Sequence, residues 1–211
     1  MKNLALLSIL FLLACSSSKN NNGSNGWISL FNGADLRGWR ASENPSTFKV
    51  ENGAIVVHGP RAHLFYDGNV ENHNFKNFEL KAQVMTTPGS NSGIFFHTAY
   101  QETDWPAKGY EAQVNNSQSD WRRTGSLYSV QDVKEVYVKD NEWFTETIRV
   151  EGKHITIKIN ERTVVDYTEP DGVEKQEGRS LKHLSSGTFA LQGHDPNSKV
   201  YFKDIFVRPL P

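Results

Sequence analysis

From Trp27 onward hydrophobicity alternates with a period of two, and no stretch longer than about a dozen residues carries a helical stripe. Residues 78–84 (Phe-Glu-Leu-Lys-Ala-Gln-Val) alternate without a break. Residues 47–50 and 54–57 flank Glu51-Asn52-Gly53 and read as a hairpin closed by Asn-Gly. Residues 144–150 and 154–159 flank Glu151-Gly152-Lys153 as a second hairpin, and Asn160-Glu161 turns the chain into 162–167. Further strands are predicted over 92–98, 110–115, 188–192 and 199–207. So many short strands in one unit predict an all-β chain, folded as an antiparallel two-sheet β-sandwich, with a closed barrel as the alternative. The 16 Gly, 12 Phe, 7 Tyr and 5 Trp suit strands and turns. No internal repeat and no second linker interrupts 27–211, which reads as a single domain. The polar, aromatic loops 100–109, 116–125 and 168–187 are long enough to carry function.

The first residues are of another kind. Lys2 precedes an apolar run over 4–13, broken only by Ser8 and too short to span a bilayer. Residues 1–14 therefore read as a signal peptide. Leu12-Leu13-Ala14-Cys15 is similar to a bacterial lipobox, in which Cys15 carries the lipid and a small residue precedes the cut. The plainer alternative makes Cys15 one more apolar residue of the segment. Residues 16–26 hold no apolar side chain, so 15–26 reads as a flexible tether. The expectation is a bacterial cell-envelope protein, anchored to the outer membrane through lipid on Cys15 and touching membrane by no other route. Cys15 is the only cysteine, which excludes an intrachain disulfide and a cysteine zinc site. Lys and Arg number 23 against 24 Asp and Glu, a net charge of −1, so no basic excess marks a nucleic-acid partner.

Alternation also sorts the candidate site. On 110–115, Tyr110, Ala112 and Val114 share one face and Glu111, Gln113 and Asn115 the other, about 7 Å apart at two residues per step. An ordinary solvated face is the plain reading of those three. His97 falls in phase with Gly93 and Phe95, and Gln192 with His194. If these faces belong to one sheet, Glu111, Gln113, His97, Gln192 and His194 line one concave surface suited to a hydroxyl-rich ligand. Trp105, Trp121, Tyr100 and Tyr128 in or beside the loops are placed to stack on sugar rings or to plug the core. Seven histidines are scattered without metal-ligand spacing, and a set of Glu111, His97 and His194 has no support from spacing. No Gly-x-Ser-x-Gly, P-loop or dinucleotide fingerprint occurs, nor the Glu-x-Asp-x-x-Glu of sandwich glycosidases. Glycoside hydrolysis by paired acids is thus poorly supported.

Trp27-Ile28-Ser29-Leu30-Phe31-Asn32-Gly33-Ala34-Asp35-Leu36-Arg37-Gly38-Trp39 resembles the LFNGxDLxGW opening of the 3-keto-disaccharide hydrolase domain family. Four more pieces match in order: residues 91–96, 109–114, 125–128 and 191–194, and the tail 202–210 fits as well. Asn115 and Asn116 stand where the family often has an acid, and Asp195 stands two places beyond the family's acid. The resemblance implies a concanavalin A-like jelly roll acting on a 3-keto-glycoside. A ketone at C3 acidifies the C2 proton and lets the glycosidic oxygen leave by elimination, after which water adds to the glycal. Such a site needs a base and a holder for the enolate oxygen. Glu111 and His97 are the base candidates, and His194 and Gln113 the oxyanion donors. Gln113, Asn115, Gln192, Tyr128, Trp105 and Trp121 are the substrate-binding candidates. No cofactor is evident; a divalent metal is the alternative enolate stabiliser, with its ligands unknown. The rival reading is a lipid-anchored carbohydrate-binding module without turnover.

Overall fold

The computed structural model describes residues 25–211. The expected signal peptide 1–14, Cys15 and nearly all of the tether lie outside the described residues. The strands are β1 (Ile28–Ser29), β2 (Trp39–Ala41), β3 (Phe48–Glu51), β4 (Ala54–His58), β5 (Ala62–Tyr66), β6 (Phe78–Thr86), β7 (Ser92–Thr98), β8 (Tyr110–Val114), β9 (Phe144–Glu151), β10 (His154–Ile159), β11 (Arg162–Thr168), β12 (Thr188–Gly193) and β13 (Lys199–Pro209). Short 3-10 turns cover Pro45–Thr47, Val70–His73 and Val173–Lys175. One sheet has the order β11-β10-β9-β6-β13-β4-β3, with β1 also on β13; the other has the order β2-β5-β12-β7-β8. This is the antiparallel two-sheet jelly-roll sandwich, not the closed barrel.

Period-two patterning sets the strands directly. Along β6, Phe78, Leu80, Ala82 and Val84 are buried and the residues between them half-buried. Hairpin β3–β4 pairs Glu51 with Ala54, leaving Asn52 (φ 50°) and Gly53 (φ 79°) in the left-handed turn conformation that Asn-Gly tolerates. Between the sheets, Phe75 packs on Phe189 at 4.5 Å and Phe78 meets Phe189 edge-on at 4.8 Å.

Two local features shape the outer face of the five-stranded sheet. The first is β5, whose five residues are all buried. Ala62, Leu64 and Tyr66 join the main core, while Phe65 turns outward to meet Phe95 and Ala190. With both faces covered, alternation vanishes, and no strand was predicted there. The second is a bulge in β7. Its register with β12 passes from Thr188↔Thr98 to Phe189↔Phe96, leaving His97 as the extra residue at φ 55°. Glycine closes in on both sides: a Cβ on Gly109 would meet Phe96 O at 2.1 Å, and one on Gly187 would meet Thr98 O at 2.1 Å.

Candidate active site

Gly93 and Phe95 of β7, Glu111 and Gln113 of β8, and Ala190 and Gln192 of β12 meet in register, through Gly93↔Gln113, Phe95↔Glu111 and Ala190↔Phe95. Over them lies a cavity of about 490 Å³, lined by Glu111, Gln113, Gln192, His194, Trp105 and Tyr128 among others. That volume suits a small organic ligand.

Glu111 is the centre of the polar arrangement. Its side chain leans across Gly93, where an added Cβ would stand 2.2 Å from Oε1. There Oε1 accepts a hydrogen bond at 2.7 Å from Gln192 Nε2, two strands away. Turned with its nitrogen toward Glu111, the Gln113 amide also donates to Oε1 at 3.2 Å; in the other rotamer it donates to Asn91 Oδ1 at 3.2 Å. Burial pushes the Glu111 carboxyl up to about 8, against the Gln192 hydrogen bond and the attraction of Lys182. The charge of Asp120 adds to the rise.

His194 stands at the end of β12, its ring 5.4 Å from that of Trp105. Its Nδ1 is paired at 2.7 Å with Asp195 Oδ2, which leaves Nε2 as the free ring nitrogen. Burial raises Asp195, but hydrogen bonds from His194, Ser198 and Asn197 outweigh it and hold the carboxyl below its usual range. The acid that is displaced in the sequence is therefore the orienting partner of His194.

The structure corrects three expected assignments. His97 does not face the cavity: the bulge turns it the other way, edge-on to Phe78 at 5.6 Å. Its Nε2 bonds Lys76 O at 2.9 Å and its Nδ1 accepts from Ser185 N at 3.2 Å. Burial lowers this imidazole to about 4, so it is a neutral brace for the loop 183–187, not a base beside Glu111. Asn115 is fully buried and pins its loop, donating to Asp120 O and Arg122 O at 2.9 Å each and accepting from Gln118 N at 2.9 Å. Trp121 is 47% exposed, lies beside Arg122 and Lys134, and takes no part in the cavity wall. With His97 turned away, the trio Glu111, His97 and His194 does not gather as a ligand set. Among the described residues no group of three or more His, Cys, Asp or Glu is placed to hold a metal.

Several lining residues escaped the sequence reading. Asp120, Arg179 and Lys182 come from loops recognised only as long and polar. Asp120 Oδ1 is occupied by Arg122, from the backbone at 3.0 Å and the guanidinium at 3.4 Å. Arg179 donates to Tyr110 OH at 3.0 Å, and that hydroxyl donates to Glu169. His63 of β5 lies under the loop 99–109, 5.6 Å from the Trp105 ring and 5.4 Å from Phe95. Neither ring nitrogen has a partner among the described residues, and burial lowers the imidazole to about 4. Gln192 Oε1, on the register neighbour of His63, is also unpartnered.

A jelly-roll sandwich with a polar cavity on the outer face of its smaller sheet is the class this fold and site define. The chain belongs to the family of 3-keto-α-glucoside-1,2-lyase-like domains, whose model matches residues 26–208. A 3-keto-disaccharide hydrolase of Bacteroides thetaiotaomicron is 35% identical over 80 residues, covering 35% of this chain and 28% of that protein. The match thus spans less than a third of the relative's length. A protein of Parabacteroides distasonis, named as a glycosyl hydrolase, superposes with a TM-score of 0.73 at 23% identity, covering 88% of this chain and 94% of that one. A carbohydrate-binding module of Bacillus subtilis superposes with a TM-score of 0.58 at 13% identity, covering 81% and 95%. At those identities the two structures show a shared fold.

Proposed function

We propose that this protein cleaves glycosides whose sugar carries a ketone at C3, by removing the C2 proton with Glu111 and expelling the C1 oxygen. The observation that carries this reading is one carboxyl, raised to about 8 by burial and held by amides, facing a cavity that also presents His194. Family membership and the name of the Bacteroides relative support it. A cleft where a carboxylate and a histidine converge also favours an enzyme over a flat aromatic binding platform.

In this mechanism ionised Glu111 takes the C2 proton, and the C–H electron pair forms an enolate across C2 and C3. The Gln113 amide and Lys182 line the same cavity and are the N–H donors assigned to the enolate oxygen in this reading. When the ketone re-forms, the C1–O bond breaks and a C1=C2 double bond appears. The departing oxygen takes a proton from a water molecule, which His194 Nε2 can orient through its lone pair while Nδ1–H is held by Asp195. Water addition at C1 and protonation at C2 then give the free 3-keto sugar, a net hydrolysis.

The testing experiment is a paired assay of a 3-keto-glucoside and its unoxidised parent, followed by aglycone release. Turnover of the 3-keto sugar alone is expected, because the parent's C2 proton is not acidic; equal rates would overturn the reading. One observation favours a second reading: Asp120 lines the same cavity as Glu111, as a two-carboxylate glycosidase would require. That reading needs Asp120 free of Arg122 and demands turnover of the parent glucoside.

The envelope location is part of the same proposal and rests on Leu12-Leu13-Ala14-Cys15. Palmitate fed to cells is expected to label the wild type and not Cys15→Ala; label retained in the variant would overturn the anchor.

A further inference from the structure

On β5, Ala62, Leu64 and Tyr66 point into the core, so His63 and Phe65 point outward, to the same side as the Glu111 cavity. The backbone of His63 is fixed: Ser42 N donates to His63 O and His63 N donates to Ser42 Oγ, both at 2.8 Å. Gln192 is the register neighbour of His63. Gln192 follows Leu191, which pairs with Ile94, so Gly93 stands next in the same row. From Gly93 through Gln192 to His63 the row crosses two strand spacings, roughly 10 Å at about 4.8 Å each. The Glu111 carboxyl lies over Gly93 at one end, and His63 stands at the other. The imidazole reaches back across β12, its ring centre 5.4 Å from that of Phe95, a wall residue of the cavity.

Three polar atoms of this row, His63 Nδ1, His63 Nε2 and Gln192 Oε1, have no partner among the described residues, and both side chains are buried. Buried polar atoms are nearly always paired, so three together beside a cavity mark a place that a ligand completes. Burial lowers the imidazole to about 4 and keeps it neutral. A neutral imidazole offers one N–H donor and one lone pair, the two functions that a hydroxyl group takes. The cover over His63 is Trp105, whose ring lies 5.6 Å from that of His63 and 5.4 Å from that of His194. Trp105 is 41% exposed and belongs to no strand. Glu43 N donates to Glu102 O at 3.0 Å and Arg61 donates to the exposed Asp104 at 3.0 Å; these hydrogen bonds hold segment 101–107 to the sandwich. The other hydrogen bonds of the segment run within it, mostly through the Gln101 amide. An exposed ion pair and one backbone bond are a weak hold on a segment of that length.

We propose that His63 is a specificity-determining residue of the Glu111 site, which holds the C6 hydroxyl of the oxidised sugar once segment 101–107 lifts Trp105 from the row. The proposal rests on the reading of the Glu111 cavity as the reaction site, with C2 of the sugar at the carboxyl. C5 stands opposite C2 in a pyranose ring, so the C6 arm leads away from Glu111 and over the row toward His63. The class selected is a hexoside with a free C6 hydroxyl, against a 6-deoxyhexoside or a pentoside.

The test is His63→Phe, which keeps a ring in place and removes both nitrogens. Wild type is expected to favour a 3-keto-glucoside over its 6-deoxy analogue about tenfold in kcat/KM, the equivalent of one hydrogen bond, with the preference carried by KM. In His63→Phe that preference is expected to vanish while Tm holds or rises, because the unpartnered nitrogens are gone. Trp105 covers His63, so a preference that depends on His63 also requires Trp105 to move. A preference of the same size in both proteins, or none in wild type, would overturn the assignment and leave His63 a packing residue. A second arm needs no turnover. Methyl glucoside and its 6-deoxy analogue are titrated by calorimetry into Glu111→Gln and into the double variant with His63→Phe. Tighter binding of methyl glucoside in the first protein alone supports the role of His63 even if no 3-keto sugar is cleaved. No preference in the first protein, or the same preference in both, overturns it.

Discussion

Glu111→Gln is expected to lower kcat about 10²–10⁴-fold on a 3-keto-glucoside, the ordinary loss when a general base is removed. The amide keeps the length of the side chain and its contact with Gln192, so KM should change far less than kcat. The same atom can be displaced from below. In Gly93→Ala the new Cβ would stand 2.2 Å from Glu111 Oε1. The flexible end of Glu111 can move aside and the fold survives, but the carboxylate leaves the Gln192 amide. A large loss of kcat with little change in Tm is therefore expected. Wild-type kcat/KM should rise with pH through about 8, because burial raises the Glu111 carboxyl and only its ionised form can take the proton. A rate that falls across the same range would make Glu111 an acid. Full activity in Glu111→Gln would remove it from the mechanism.

Glu146→Leu is expected to stabilise the protein. The inward-facing series of β9 is Phe144, Glu146, Ile148 and Val150, so a carboxyl occupies a core position. Its register neighbours are Ala82 and Ile159, and neither of its oxygens has a partner among the described residues. An unsatisfied buried polar group costs about 1–3 kcal/mol, and leucine has nearly the same volume. At about 2–4 °C per kcal/mol for a domain of this size, the gain should be plain in a melting curve. The pH dependence has a definite sign. Burial first, and repulsion from Glu111 second, raise the Glu146 carboxyl well above 4.5. Between 4.5 and the raised value the folded chain holds a proton that the unfolded chain has released. Wild-type stability therefore falls as pH rises through that window. The leucine variant lacks this slope, so its advantage should widen with pH. Equal or lower stability across pH 5–8 would contradict the unsatisfied-carboxyl account.

What the sequence disclosed follows from how each strand is covered. β6, β9 and β10 have one face on the core and one partly wet, so their alternation was legible, as was the Asn52-Gly53 turn. β5 is covered on both faces, and His63 was missed with it. His97 was assigned to the wrong face because simple alternation assumes an unbroken strand, and the bulge adds one residue just before the strand ends. Glu111 and Gln113 lie in a pairing without a register shift, the backbone of β12 carries no extra residue before Gln192, and all three stand where alternation put them. Asn115 follows the last residue of β8, where the chain is already turning, so its phase no longer specified a face. Asp120, Arg179 and Lys182 reach the cavity from loops, whose paths no periodicity encodes.

The central claim, proton removal from C2 before the glycosidic bond breaks, is tested most directly by running the reaction in deuterium oxide. A 3-keto-glucoside with ordinary hydrogen at C2 is given to the wild-type protein, and the 3-keto sugar formed is examined by NMR at early times against an enzyme-free control. Elimination followed by hydration places a solvent deuteron at C2, so product carrying deuterium there is the expected result, with both label and product lost in Glu111→Gln. Product released at full rate with its original C2 hydrogen in place would contradict it.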